Sequence, residues 1–223
     1  MADYERLRGF VAQSMGGPKL AGYEVPSYST SGTYTFTAPV AGTYKFVLWG
    51  GGGGQIPPAT EGCGSGGYCE YTRFLPARAR VTVVVGVGDS SNSGTGGTSS
   101  LTFPDGKVVT ATGGGRGAGG VGGAGGVASG GDVNLNGSVG GDGVASAPGA
   151  GLGTAGGAAG ANGSGGAGAP ANAPYTGAPG GTFLASSNST GLGPGAGGAA
   201  HSSAGGTTGG TGLVIVQCLR PQL

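Results

Sequence analysis

The chain has 223 residues, 60 of them glycine, a length that fits one domain or two small ones, and a net charge of +1 that gives no electrostatic ground for a nucleic-acid or anionic-membrane partner. No apolar run approaches the roughly 18 residues of a membrane helix. The N-terminus, Met-Ala-Asp-Tyr-Glu-Arg-Leu-Arg, has no hydrophobic signal region, so synthesis in the cytoplasm without signal-directed export is expected.

Residues 1 to about 16 carry Leu7, Phe10, Val11 and Met15 on one helical face, with Asp3 placed to cap the start and Gly16, Gly17 and Pro18 to stop it. This short helix is marginal alone. It is expected to dock on its own domain, on a partner or on copies of itself, and residues 17–31 read as an extended linker. From Thr33 the period becomes two: 33–38 and 43–49 read as the arms of a hairpin around a turn at Pro39 to Gly42. Gly50 to Gly54 read as a first glycine rod or a tight exit, and 55–65 as a loop. Further strands are expected at 68–75, 81–87, 99–103 and 107–112. Phe103-Pro104-Asp105-Gly106-Lys107 is a turn in which proline sets φ and glycine accepts positive φ. The last apolar run, 213–219, must pair with other strands and is expected to return to the sheet built from 33–112.

Between these lies 113–212, where glycine dominates and Arg116, Asp132 and Asp142 are the only charges. Glycines there keep a phase of three in short runs, one through Gly114, Gly117, Gly120, Gly123 and Gly126, another through Gly157, Gly160, Gly163 and Gly166, and a third through Gly206, Gly209 and Gly212. Three residues per turn is the period of a polyproline II helix, which makes no bonds within itself. A run of about 12 residues would be a rod of roughly 37 Å, bonding only to neighbouring rods. Disorder is the competing reading, although its usual high net charge is missing. A collagen triple helix fits less well still, because the triplet phase breaks repeatedly and proline is sparse. The expected fold is therefore mainly β, an antiparallel β-sandwich-like scaffold (32–112 and 213–223) with an inserted bundle of polyglycine II helices (113–212), preceded by an attachment helix and linker (1–31).

Thr35-Phe36-Thr37-Ala38-Pro39, the run Leu48-Trp49 into five glycines, Gly66-Gly67-Tyr68, Val85-Gly86-Val87-Gly88, Gly97-Thr98-Ser99-Ser100, Ala111-Thr112-Gly113-Gly114-Gly115 and Gly212-Leu213-Val214-Ile215-Val216 occur in this order. Together they resemble the glycine-rich domain at the tips of bacteriophage tail fibres, over about residues 33–219. The resemblance implies a virion protein, a tail fibre tip or spike that binds a host surface glycan or outer-membrane protein. A capsid decoration or fibre-joint protein with a purely structural role is the alternative. It also implies that loops joining the rods at the distal end contact the host. Carried onto this chain these are 132–136, 171–176, 182–190 and 199–203, with Asn134, Leu135, Asn136, Asn172, Tyr175, Phe183, Leu184, Asn188 and His201 as contacts. Aromatics beside amides suit a saccharide or a protein loop, although the aromatics could equally plug the bundle end. Leu7, Phe10, Val11 and Met15 would attach the chain to other tail fibre, tail or capsid proteins. A homo-oligomer is expected, with a trimer organised by residues 3–15 as the favoured form.

Other motifs are weaker. Gly-x-Gly-x-x-Gly matches such as Gly115 to Gly120 are expected by chance at this composition, and no helical pattern follows to meet a phosphate. One arginine among glycines is no nucleic-acid footprint. Cys63, Cys69 and Cys218 are an odd set in a chain without a signal, which favours reduced thiols, although Cys63 and Cys69 are near enough in sequence to bridge. A zinc site lacks a fourth ligand, His201 being the only histidine. Asp89 to Asn92 could bind calcium but reads better as a turn. Neither an enzyme nor a cofactor is expected.

Overall fold

Runs of alternating apolar residues build this molecule. A computed structural model describes residues 26–54, 61–89, 94–142 and 209–221. The expected N-terminal helix, with Leu7, Phe10, Val11 and Met15, lies outside them. The described strands are β1 (Ser27–Tyr28), β2 (Gly32–Thr37), β3 (Gly42–Trp49), β4 (Tyr68–Leu75), β5 (Arg80–Val85), β6 (Ser99–Thr102), β7 (Val108–Ala111), β8 (Ala128–Ser129), β9 (Val133–Leu135) and β10 (Leu213–Pro221). They form two five-stranded antiparallel sheets, ordered β1-β10-β3-β4-β9 and β2-β5-β6-β7-β8. No helix occurs among the described residues.

The period of two sends Tyr44, Phe46 and Leu48 of β3 and Val214 and Val216 of β10 to the inner face of the first sheet. There they join Phe36, Val81, Val83, Val85, Leu101 and Val109 of the second sheet in one buried core. Phe36 meets Tyr44 and Phe46 edge to face at centroid distances of 5.5 and 5.9 Å, tying the two layers together. Each such side chain stabilises the fold by about 1.5–3 kcal/mol when fully buried. The outer face of the first sheet carries a smaller cluster, Val47, Trp49 and Tyr68 with Leu135, Leu213 and Ile215 against them.

The expected hairpin of 33–38 with 43–49 does not form. β2 pairs with β5 and β3 pairs with β4 and β10, so the chain crosses between layers at 38–41. Both arms have an apolar face, and facing these across the core buries both, whereas pairing them side by side would leave each needing another cover. The strand expected at 81–87 ends at Val85, and Val87 is exposed in the glycine segment that follows. Part of the expected linker is a strand, since β1 adds to the free side of β10. The final run returns as expected, β10 lying between β1 and β3. The Phe103 to Lys107 turn also forms, with Gly106 at φ 83° and the Phe103 N–H donating to the Lys107 carbonyl at 2.9 Å.

Charged groups brace the scaffold. Lys45 Nζ lies 2.7 Å from Glu70 Oε2, and the Tyr68 hydroxyl donates to Glu70 Oε1. Burial pulls the Glu70 carboxyl upward, but Lys45 and Tyr68 together outweigh it and leave it lowered. Burial, reinforced by the bond to Glu70, pushes the Tyr68 phenol up. Arg73 forms a two-pronged pair with Asp105 at 3.0 and 2.7 Å while its guanidinium lies 5.0 Å from the Phe103 ring centroid.

Candidate functional site: the glycine bundle and its far end

Four strand connections, β3 to β4, β5 to β6, β7 to β8 and β9 to β10, leave the same end of the sandwich as glycine-rich segments. The outgoing segments are 50–54, 86–89, 112–117 and 136–142, and the returning ones 61–67, 94–98, 122–127 and 209–212. Glycine threads therefore begin well before residue 113, and 61–65 belongs to a thread rather than to the expected loop.

The bonds of the thread at 50–54 repeat every three residues. Gly50 and Gly53 donate to Gly67 and Gly64 of one neighbour, Gly51 and Gly54 donate to Gly97 and Gly94 of a second, and Gly52 donates to Gly210 of a third. The carbonyls of Gly51 and Gly52 in turn accept from Gly114 and Asp89. The segment at 61–67 behaves alike: Gly62 and Ser65 donate to Gly141 and Ser138, while Gly64 and Gly67 donate to Gly115 and Thr112. Backbone groups with no partner within their own thread thus find one in the next.

Glycine is required for closeness rather than for a special dihedral. A Cβ placed on Gly51, Gly64, Gly114 or Gly122 would land on the carbonyl oxygen of Val87, Ala124, Gly64 or Gly140, and none of these glycines has positive φ. Such approach is the geometry of Cα–H to oxygen contacts, each worth about 0.5–1 kcal/mol. Among the described residues positive φ is confined to turns and ends. The expected run from Gly114 to Gly126 is not one rod but two antiparallel threads, folded back at Gly119 (φ 63°) and Gly120 (φ 88°), a pair of left-handed residues of the kind that two-residue hairpin turns demand. Thr112 and Gly115 donate back to Val127 and Ala124 across this fold. The two threads joined by this fold-back, 112–117 and 122–127, have six residues each against an expected rod of about 12.

Side chains close the lattice where backbone partners run out. At the sandwich end, Ser99 Oγ accepts from the Gly86 N–H at 2.9 Å and donates to the Trp49 carbonyl at 2.6 Å, with the serine fully buried. Thr112 Oγ1 accepts from Val127 N–H at 2.7 Å, and Ser65 Oγ from Ser138 N–H at 2.8 Å. Toward the far end, Glu61 Oε1 accepts from Gly120 N–H at 2.6 Å and Asp142 Oδ1 from Gly122 N–H at 2.8 Å. Sequence reasoning missed these caps. Their signal was available: Glu61 and Asp142 each sit beside a glycine run.

The residues expected in distal loops divide in two. Asn134 and Leu135 belong to β9, beside β4 and at the sandwich, not at the tip of the bundle. Asn134 bonds Gly131 twice, at 3.1 and 2.8 Å, and accepts from the Cys69 thiol at 3.3 Å. Leu135 packs in the Trp49 cluster, and Asn136 Oδ1 accepts from Ala128 N–H at 3.3 Å. The chain turns back at 130–132 because Gly130 takes φ 83° and Asn134 closes the turn, so 132–136 becomes scaffold. Asn172, Tyr175, Phe183, Leu184, Asn188 and His201 lie outside the described residues. The described tip is Ala118-Gly119-Gly120-Val121, with Val121 63% exposed.

None of Cys63, Cys69 and Cys218 is joined in a disulfide. Burial pushes Cys63 and Cys69 each up to about 11 and raises Cys218 as well. Among the described residues no group of His, Cys, Asp and Glu is placed to hold a metal ion. The Gly115 to Gly120 match runs into the Gly119–Gly120 fold-back instead of a helix. No protein-family model matches the chain, and no curated protein matches it.

Proposed function

We propose that the chain is a virion structural protein, a phage tail fibre tip or spike that binds a host surface receptor, and that its glycine threads are polyglycine II helices. The observation that carries the reading is the three-residue repeat of donors from Gly50 to Gly54 in threads that all leave one end of a sandwich. A helix with three residues per turn and no internal bonds must bond outward in three directions. This is what the resemblance to tail fibre tips implies, a stiff projection that holds loops away from its base with almost no apolar interior. The receptor would be a surface glycan or an outer-membrane protein loop, contacted by Asn172, Tyr175, Phe183, Leu184, Asn188 and His201.

A second reading, capsid decoration or fibre joint, draws support from the described tip, whose Ala-Gly-Gly-Val sequence offers neither a ring nor a charge. One experiment separates the two. Purified chain is added to host cells before particles, and adsorption is measured with wild type and with the double variant Tyr175→Ala, Phe183→Ala. Blocking by wild type and its loss in the variant support receptor binding. Loss of particle integrity on deletion, without any binding of isolated chain to cells, supports the structural role. Absence of the chain from purified particles refutes both.

A further inference from the structure

We infer that β2 is an association edge and that its occupant is β2 of a second copy, paired antiparallel about a two-fold axis through Thr35. Free sheet edges invite strand addition, and proteins blunt them with short strands, proline, charge or bulges. Among the described strands, three of the four sheet edges are blunted. β1 has two residues and follows Pro26; β8 has two residues and ends at Gly130 with φ 83°; β9 has three and adjoins Asp132, whose carboxylate takes the Thr72 N–H at 2.7 Å. β2 differs. It runs six residues in unbroken register with β5, from Gly32 opposite Val85 to Thr37 opposite Arg80, without proline, charge or bulge. Thr33, Thr35 and Thr37 are exposed and Tyr34 is half-buried.

The sequence of this edge complements itself. Antiparallel pairing centred on Thr35 sets Thr33 opposite Thr37 and Thr35 opposite its own copy on the outer face, while Tyr34 meets Phe36 on the core side. Threonine pairs and aromatic pairs are both favourable cross-strand neighbours, each worth some tenths of a kcal/mol to about 1 kcal/mol. Because odd residues meet odd ones, both copies keep their cores on the same side of the joined sheet. Such a sheet would have ten strands, at the upper end of the usual range. The surface around it is neutral: Thr82, Thr102, Ser100 and Thr110 share the outer face, and Thr110 is hydrogen-bonded to Ser129 at 2.8 Å. Arg80, one strand in from the edge, is its nearest charge in register.

The two-fold axis supplies the test. Sedimentation velocity of the full chain from about 10 μM to about 1 mM covers the weak affinities expected of so short an edge. Wild type should show a concentration-dependent doubling of mass. Thr35→Lys and Thr35→Glu each place like charges opposite one another and should weaken this step at least tenfold, with circular dichroism unchanged because the site is exposed. An equimolar mixture of the two variants should restore it, since only mixed pairs bring opposite charges together. Wild type that never doubles, variants that associate as well as wild type, or a mixture that stays apart would each overturn the proposal.

Discussion

Replacing Gly51 by alanine isolates the force that holds the glycine bundle together. The Gly51 N–H donates to Gly97 at 2.9 Å, its carbonyl accepts from Gly114 at 2.9 Å, and an added Cβ would strike the Val87 carbonyl. Separating the threads to admit a methyl weakens two hydrogen bonds, worth about 0.5–1.5 kcal/mol each, and one Cα–H contact of about 0.5–1 kcal/mol. Against this stands a gain of about 0.4–1 kcal/mol from restricting the unfolded chain. Unsatisfied buried carbonyls add to the loss, about 1–3 kcal/mol for each group left unpaired, so a net destabilisation of about 2–4 kcal/mol is expected. At this chain length that corresponds to a fall of roughly 4 to 16 °C in Tm, read by circular dichroism or calorimetry. Gly106→Ala is the control: φ is 83° but nothing lies within 4 Å of its Cβ, so only left-handed strain of about 1–2 kcal/mol, less the same unfolded-state gain, remains. Should Gly51→Ala prove neutral or stabilising, close approach is not what these glycines provide, and the account of the bundle fails.

Ser99→Ala leaves the Gly86 N–H and the Trp49 carbonyl without their partner in a buried junction; a loss of about 2–4 kcal/mol in urea denaturation is expected. Tyr68→Phe removes the hydroxyl that donates to Glu70 and should cost about 1–3 kcal/mol, with Trp49, the single tryptophan and edge to face with Tyr68 at 5.0 Å, reporting the unfolding by fluorescence. Arg73, followed by the Lys107 backbone N–H, holds the Asp105 carboxyl at about 2 against an ordinary 3.8. A depressed folded-state value means that this contribution is complete above the ordinary value and is lost as pH falls toward about 2. Asp105→Asn should flatten the dependence of Tm on pH in that window, and an unchanged dependence would contradict the pairing. Native protein at pH 8 should react slowly with a thiol reagent at Cys63 and Cys69, both buried and raised to about 11, and faster at the partly exposed Cys218. Equal rates at all three would show that both the 61–67 thread, which holds Cys63, and β4, which holds Cys69, open readily.

Local pattern was enough wherever a side chain's own periodicity decides its fate. Thr33 to Thr37 reads as a strand because threonine and aromatic residues alternate, and the Phe103 to Lys107 turn follows from proline and glycine dihedrals that hold in any context. The phase of three among glycines did not mark a single rod, since the run from Gly114 to Gly126 folds back at Gly119 and Gly120. Partners were not legible. Nothing in Tyr34 or Phe46 says that β2 and β3 lie in opposite sheets, because an apolar face records only that it needs cover. β8 and β9 were invisible at two and three residues, too short for any period to show, and Asn134 looked free because its partners, Gly131 and Cys69, come together only when β9 meets β4.

Composition by itself thus determined the kind of molecule, a β scaffold carrying threads too poor in large side chains to pack through an oily core. Tertiary structure alone decided where each thread runs and which carbonyl receives each N–H. The reason is that glycine has no side chain to encode a neighbour, so the route of every thread is dictated from its ends, by the strands that launch it and by Ser99, Thr112, Glu61 and Asp142 that close the bonds it cannot close itself.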